Sequence, residues 1–299
     1  MDLSFYKRKT YELAFITPKQ GTKITDGQWD VKLVSNPLQG SKWFADPFIL
    51  DYNDQEIYLL VEEMDYKIKR GRIAKLTINR KTCSITDVKI LLDLNTHLSF
   101  PAIYRKDNKI YIYPENSASG ALQMYEYNIN TDELTLIGTL IDEMVTDAIF
   151  RTYGGGKYLI STKLPSPNGD FLYIYQEING EYQLAQNIQF DDQTARGAGD
   201  WFEEDARIIR PAQNCNGYYG VGLVFQEVNF ENGEFTFREI NRIKHPIGYD
   251  GMHTFNKYKD LCVIDYRRPI YPYVYYPCKF LYDMIIMCKK FVMAKVCLK

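Results

Sequence analysis

Three stretches of this 299-residue chain repeat one another, and self-similarity at this spacing leaves few folds open. ADPFILDYNDQEIYLLVEE from Ala45, SFPAIYRKDNKIYIYPEN from Ser99 and TDAIFRTYGGGKYLISTK from Thr146 each read as strand, tight turn, strand. The turns Tyr52-Asn53-Asp54-Gln55, Lys106-Asp107-Asn108-Lys109 and Gly154-Gly155-Gly156 supply residues that tolerate positive φ or bond their own backbone. A third strand is predicted after each, over 71–78, 121–128 and 171–176, and two weaker repeats follow over 206–243 and 252–276. Units of roughly 40 to 50 residues are the mark of propeller blades. A β-sandwich would also show regular strands, but it does not require repeated sequence. The expectation is therefore an all-β, five-bladed β-propeller over residues 1–278. N-terminal strands near 11–16 and 29–33 would complete the last blade and close the ring.

Composition agrees and narrows the function. With 25 Tyr and 16 Phe the chain is rich in strand-forming aromatics. A net charge of −2 gives no overall pull toward nucleic acid, so none is expected as a partner. Cys83, Cys215, Cys262, Cys278, Cys288 and Cys297 form no C-x-x-C pair, which reads as reduced thiols rather than a zinc site or disulfide framework. The first residues show no apolar export segment, and the expected location is the cytoplasm. No Gly-rich phosphate loop, nucleophile elbow or H-E-x-x-H motif is present, so no cofactor is implied.

Superposing the repeats places Asp46 with Asp147 at the start of a first strand, and Glu62 with Glu115 at the end of a second. Antiparallel neighbours bring those two positions to the same edge of a blade. All four acids should thus share one rim, joined by Asp265 from the fifth blade. Like charges crowded in a partly dehydrated funnel raise carboxyl pKa values, the condition for acid and base work at neutral pH. Cleaving a glycosidic bond needs such a pair, one acid to protonate the leaving oxygen and one carboxylate to activate water or attack. The other reading is that these acids cap turns or pair with Arg207, Arg210 and Arg267. Clustered carboxylates also suit a divalent cation through oxygen ligands, although nothing in the sequence sets a ligand set. Arg210, Gln213, Asn214 and Tyr219 form a polar group suited to hydroxyls or a phosphate, and Pro211 suggests an inner edge or bulge. His97 and His253 stand at blade starts, as site residues or as satisfied core histidines.

The series WFADPF, LLVEE, GRIA, HLSFP, PEN, DAIF, RPAQNC and GMHTF followed by VIDYRR spans about residues 28 to 270. It resembles a bacterial domain also found at the N-terminus of plant glucosamine inositolphosphorylceramide transferases, itself related to the propeller of family-43 glycoside hydrolases. The resemblance implies that Asp46 is a general base and that His253 is the channel histidine, beside a metal or water. It departs in two places. Ser99-Phe100-Pro101 replaces the second blade's pKa-modulating aspartate, and the third blade's general-acid glutamate has no match. Glu115 is its best replacement by position, with Asp147 the other candidate acid. Glu62, His97, Arg210, Gln213, Tyr219, His253, Asp265 and Arg267 are the candidate substrate contacts. The expected function is carbohydrate-active work on a glycosidic bond of a saccharide or glycolipid, in surface polysaccharide or glycolipid metabolism. A glycosyltransferase role in cell-surface glycan biosynthesis and a non-catalytic sugar-binding module are the alternatives.

Residues 279–299 read as a short C-terminal amphipathic helix. Phe280, Met284, Met287, Phe291 and Val292 recur at helical spacing, and five lysines face one acid. Such a helix either packs on the propeller or lies on an anionic membrane surface at the inner face.

Overall fold

The computed structural model describes residues 9–271 together with Tyr273, Pro277 and Met284. The helix expected over 279–299 falls, Met284 apart, outside the described residues, and so does the membrane contact expected of it. Among the described residues no helix is long and apolar enough to cross a membrane.

The described chain forms five four-stranded antiparallel sheets, the blades of a propeller. From the channel outward, blade one runs Lys42–Tyr52, Glu56–Asp65, Gly71–Asn79 and Ser84–Leu92. Blade two runs Ser99–Lys106, Lys109–Glu115, Leu122–Asn128 and Glu133–Ile141, and blade three Val145–Tyr153, Gly156–Lys163, Phe171–Ile178 and Glu181–Gln189. Blade four has a three-residue inner strand, Phe202–Glu204, then Arg207–Asn214, Gly222–Glu231 and Glu234–Lys244. Blade five joins both ends of the chain: Phe255–Tyr258 and Leu261–Pro269 are followed by Lys9–Pro18 and Trp29–Leu33. Leu13 pairs with Asp265 across that seam, and Ala14 with Leu33 in the adjoining N-terminal pair. Closure by N-terminal strands therefore occurs as the sequence suggested.

Local chemistry explains the hairpins. Asn53 Oδ1 accepts the amides of Gln55 and Glu56 at 2.8 Å, while Asp107 and Asn108 both take positive φ. Asn179-Gly180 and Asn232-Gly233 make the same turn in blades three and four, with positive φ at both central residues. Aromatic rings fill the spaces between blades: Phe225 lies 5.2 Å from Phe255, 5.8 Å from Phe202 and 6.4 Å from Trp29. Each such buried ring contributes roughly 1.5–3 kcal/mol.

One expectation of the fourth repeat fails. Arg207–Asn214 is the second strand of its blade and not the one lining the channel, because the preceding Phe202–Glu204 segment takes the inner place. Pro211 lies beyond that short strand, where its carbonyl accepts the Ala198 amide and no inner partner needs its missing N–H.

Candidate functional site

The site is built from a repeated defect in the inner strands. Asp46, Phe100 and Asp147 occupy the same place in blades one, two and three, and each has a left-handed backbone, with φ of 50°, 44° and 47°. The strand register slips at all three, between Ala45 and Phe48, Ser99 and Pro101, and Thr146 and Ile149. A bulge of this kind withdraws one N–H from the ladder and re-aims it. Here the freed amides bond carboxylates: Asp46 N–H donates to Asp265 Oδ2 at 3.1 Å, Phe100 N–H to Asp46 Oδ2 at 3.0 Å, and Asp147 N–H to Glu115 Oε2 at 3.0 Å. The strain of each left-handed residue, of order 1–3 kcal/mol, is offset by a hydrogen bond to a carboxyl group at the mouth of the channel.

Around Asp46 the network is closed. Asp265 Oδ1 accepts the amides of His253 and Thr254 at 3.1 Å and His253 Nδ1–H at 2.7 Å. Thr254 Oγ1 donates to Asp46 Oδ1 at 2.7 Å, and His253 Nε2 stands 3.5 Å from that oxygen. These contacts divide the titrations. Burial raises the Asp46 carboxyl to about 6 against the pull of His253, while His253 and the amide donors hold Asp265 below the ordinary range despite its burial. Burial alone would lower His253, but Asp265 and then Asp46 outweigh it and raise its pKa. Asp46, His253 and Asp265 offer ligand atoms within 4.8 Å of one another. His253 Nδ1 is committed to Asp265, so a divalent cation there would take His253 Nε2 and Asp46.

The opposite wall carries Glu115 and Asp147. Arg196, from the connection between blades three and four, donates Nε–H to Asp147 Oδ2 at 2.5 Å and Nη1–H to Asn168 at 2.8 Å, with Nη2 3.5 Å from Glu115 Oε2. Gln213 Nε2 adds a second donor to Asp147 at 2.8 Å. Asp147 is thus held by a guanidinium and an amide. Glu115 differs: burial, then the Asp147 charge, raise it to about 8 in spite of Arg196. Glu62 is raised well above the usual range by burial and by Asp46, and its Oε1 lies 3.3 Å from His97 Nε2. His97 Nδ1 accepts the Gly71 amide at 2.9 Å, so the neutral ring carries its proton on Nε2, toward Glu62. A side chain at Gly71 could not fit, since its Cβ would lie 2.3 Å from Leu98 O and 2.8 Å from Glu62 Oε1.

Aromatic rings face the acids. Trp43 and Tyr11 lie 4.8 Å apart, Tyr11 stacks on His253 at 4.9 Å, and Tyr219 meets His253 edge-on at 5.2 Å beneath the Arg196 guanidinium. Arg267 donates to Tyr219 O at 2.8 Å and to Asp250 O at 2.9 Å, bracing this wall. Ten of the eleven residues singled out in the sequence meet in this network. Arg210 does not: its Nη1–H donates to Gln226 at 2.5 Å, its Nη2–H to Ala195 O, and the rings of Phe190 and Phe237 cover it. That burial lowers its pKa to about 9 and makes it a core residue of blade four, contrary to the expected substrate contact. Sequence reasoning missed Arg196, Tyr11, Trp43 and Thr254. The repeat aligns blade strands, and Arg196 and Tyr11 lie outside the aligned segments, whereas Trp43 and Thr254 stood inside quoted motifs and were read only as markers.

Glu115→Gln should be stabilising at alkaline pH. A carboxyl raised from the ordinary range to about 8 in the folded state costs stability progressively as pH rises through that window. The melting temperature of the variant relative to the wild type should therefore climb between about pH 5 and pH 8. A difference that stays flat across that interval would show Glu115 to be ionised throughout.

A family model described as glucosamine inositolphosphorylceramide transferase 1, N-terminal, matches residues 30–250. Glucosamine inositolphosphorylceramide transferase 1 of Oryza sativa subsp. japonica is 26% identical over 239 residues, covering 72% of this chain and 31% of that protein. Its counterpart in Arabidopsis thaliana is 23% identical over 263 residues, 79% of this chain and 33% of that one. The chain thus spans about a third of the length of these relatives. Among solved structures, a GH43 β-xylosidase/α-arabinofuranosidase from a compost microbial metagenome, in complex with xylotriose, superposes with a TM-score of 0.54 at 12% identity, over 77% of this chain and 92% of that one. A GH43 β-1,3-galactosidase with galactodeoxynojirimycin gives 0.52 at 10% identity, over 81% and 93%. At these identities the likeness is one of fold.

Proposed function

We propose a function from the premise that this chain belongs to the family of glucosamine inositolphosphorylceramide transferase N-terminal domains: it is a carbohydrate-active propeller that works on a glycosidic bond at the mouth of its channel. The observation that carries the reading is that two buried carboxyl groups from neighbouring blades meet at one mouth in different surroundings, burial raising Asp46 to about 6 beside His253 and Glu115 to about 8 beside Asp147. Between those values Asp46 is ionised and Glu115 holds its proton, the division of labour that glycosidic chemistry needs. Asp46 Oδ1 takes the proton of the attacking water or hydroxyl, and Glu115 delivers its own to the leaving oxygen. His253, fixed by Asp265, stands beside Asp46 to stabilise its charge. The rings of Trp43 and Tyr11 offer the apolar face of a pyranose a surface, while His97, Asn168 and Arg196 offer its hydroxyls partners. The substrate class is a saccharide or glycolipid, in line with the inositolphosphorylceramide transferases and the xylotriose complex to which the chain is similar.

One observation favours a glycosyl-transferring or purely sugar-binding role instead. In blade three the place equivalent to Glu62 and Glu115 holds Thr162, whose hydroxyl lies 2.7 Å from that of Thr146. The deciding experiment incubates the full chain with a panel of aryl glycosides between pH 5 and 9 and, in parallel, with a glycan array. Turnover with a bell-shaped kcat/KM centred between about pH 6 and pH 8 is expected. Array binding without turnover would move the assignment to the sugar-binding module, and neither binding nor turnover would overturn the proposal.

A further inference from the structure

The end of the channel opposite the acids carries the opposite charge. Arg105 lies beyond Phe100 on the inner strand of blade two, and Arg151 beyond Asp147 on that of blade three, about 13–16 Å farther along at the rise of a strand. Arg105 spans the opening: its Nη2–H donates to Ile49 O at 2.9 Å and Leu50 O at 2.8 Å in blade one, and its guanidinium lies 4.1 Å from the centre of the Tyr258 ring in blade five. Arg151 reaches blade four, where its Nη2 stands 2.5 Å from both Trp201 O and Asp200 Oδ1. The Asp200 amide donates to Asn256 Oδ1 at 2.8 Å, and Asn256 Nδ2–H to Pro47 O at 2.9 Å. Two guanidiniums share one carboxylate here. Among the described residues Asp200 is the one acid within 4 Å of Arg151, and no acid lies that close to Arg105. Asp51, on the neighbouring strand, is paired with Lys259 at 3.4 Å. Arg105 is exposed, and the side chains of Arg151 and Asp200 are 27% and 33% exposed, so solvent reaches the group. Arg151 Nε–H is buried without an acceptor, an unmet donor of a kind folded proteins seldom keep.

We propose that this end of the channel binds a phosphate group between Arg105 and Arg151. Two guanidiniums against one carboxylate leave a positive charge in excess, and a concave opening walled by protein strengthens its pull on an anion. The backbone carbonyls and the rings of Tyr258 and Trp201 fix both guanidinium planes before a ligand arrives, so little side-chain freedom is lost on binding. The two forks come from different blades and meet the ligand from separate directions, which suits a tetrahedral oxyanion better than a planar carboxylate. Asp200 repels the ligand, but Arg151 already neutralises it. The acid mouth, with Asp46, Glu62, Glu115, Asp147 and Asp265, disfavours the same ligand, so the phosphate enters from the far end. The inference is independent of the glycosidic reading, because the two ends share no residue.

The test is isothermal titration of the full chain with inorganic phosphate and, separately, with glycerol phosphate, at constant ionic strength. Wild type should bind inorganic phosphate; binding of the ester as well would identify the ligand as a phosphate carried on an organic molecule, and binding of the inorganic ion alone as the free ion. Arg105→Gln should weaken binding by about tenfold or more, the worth of a charge-assisted hydrogen bond. Lys106→Gln is the control, since its side chain lines the cleft between blades two and three instead, and it should bind as the wild type does. If Arg105→Gln does not fold, Arg105→Lys takes its place, and its ammonium, which lacks the fork, should also bind more weakly. A wild type that binds neither ligand, an Arg105 variant that binds as tightly as the wild type, or an equal loss in Lys106→Gln would overturn the proposal.

Discussion

Asp46→Asn is expected to abolish turnover and leave the propeller standing. The asparagine keeps an oxygen for the Phe100 amide, and the Thr254 hydroxyl can rotate to accept from the new amide, so both hydrogen bonds of the carboxylate are replaced. One negative charge also leaves a site where Glu62 is already pushed upward by its neighbours, which offsets the partner lost to His253. What disappears is the base. An amide cannot take a proton at neutral pH, and loss of a positioned general base costs on the order of a hundredfold to ten-thousandfold. The measurement is kcat/KM on any glycoside the wild type turns over, alongside a thermal melt. Activity within a few fold of the wild type would remove Asp46 from the chemistry.

The second large effect is on stability and centres on Arg196. Its guanidinium is the cation between Asp147 and Glu115, and its side chain is only 12% exposed. Arg196→Met keeps much of the volume and removes the charge, so Asp147 is left with Gln213 alone and stands beside a second carboxyl group. Removing one partner of a buried ion pair destabilises by about 3–5 kcal/mol. The sign with pH follows from linkage. Glu115, already raised to about 8, loses in Arg196 a group that lowers it, so the deficit is small in acid, where Glu115 is protonated in both states, and grows as pH rises. Arg196→Lys should recover part of the loss, since an ammonium keeps the charge and loses the planar fork that reaches Asp147, Glu115 and Asn168 together. Chemical denaturation of the three proteins at pH 5 and pH 8 measures this. A methionine variant as stable as the wild type at pH 8 would mean that Asp147 does not depend on Arg196.

How the site is wired was only partly open to sequence reading, and the reason is one of range. A blade is a local object: its strands, its hairpin turns and the alternation of its side chains lie within one repeat, so five blades could be read from the period and the turn residues. The shared rim of Asp46, Glu62, Glu115 and Asp147 was legible for the same reason. Ala45 pairs with Glu62 and Ser99 with Glu115, and antiparallel pairing alone brings a strand start to its neighbour's end. Closure by the N-terminal strands followed from counting what the fifth blade lacked.

The mouth of the channel, in contrast, is where separate blades converge, and its decisive contacts join residues far apart in the chain. Thr254 bonds Asp46 across 208 positions, Asp265 receives the Asp46 amide across 219, and Arg196 reaches Asp147 across 49. Which acid keeps its proton is settled by burial and by those partners: burial and the Asp147 charge raise Glu115 to about 8, whereas burial raises Asp46 to about 6 against the pull of His253. Arg210 shows the converse. Its motif looked like a site, but once Phe202–Glu204 takes the channel side of blade four, its guanidinium has the Ala195 carbonyl, Gln226 and two phenylalanine rings around it. Sequence by itself determined the blades and the edge at which acids gather, because both are set by pairing between adjacent strands. Only the tertiary structure decided their charges and partners, because a carboxyl pKa depends on burial and on groups a few ångströms away in space, wherever they lie in the chain.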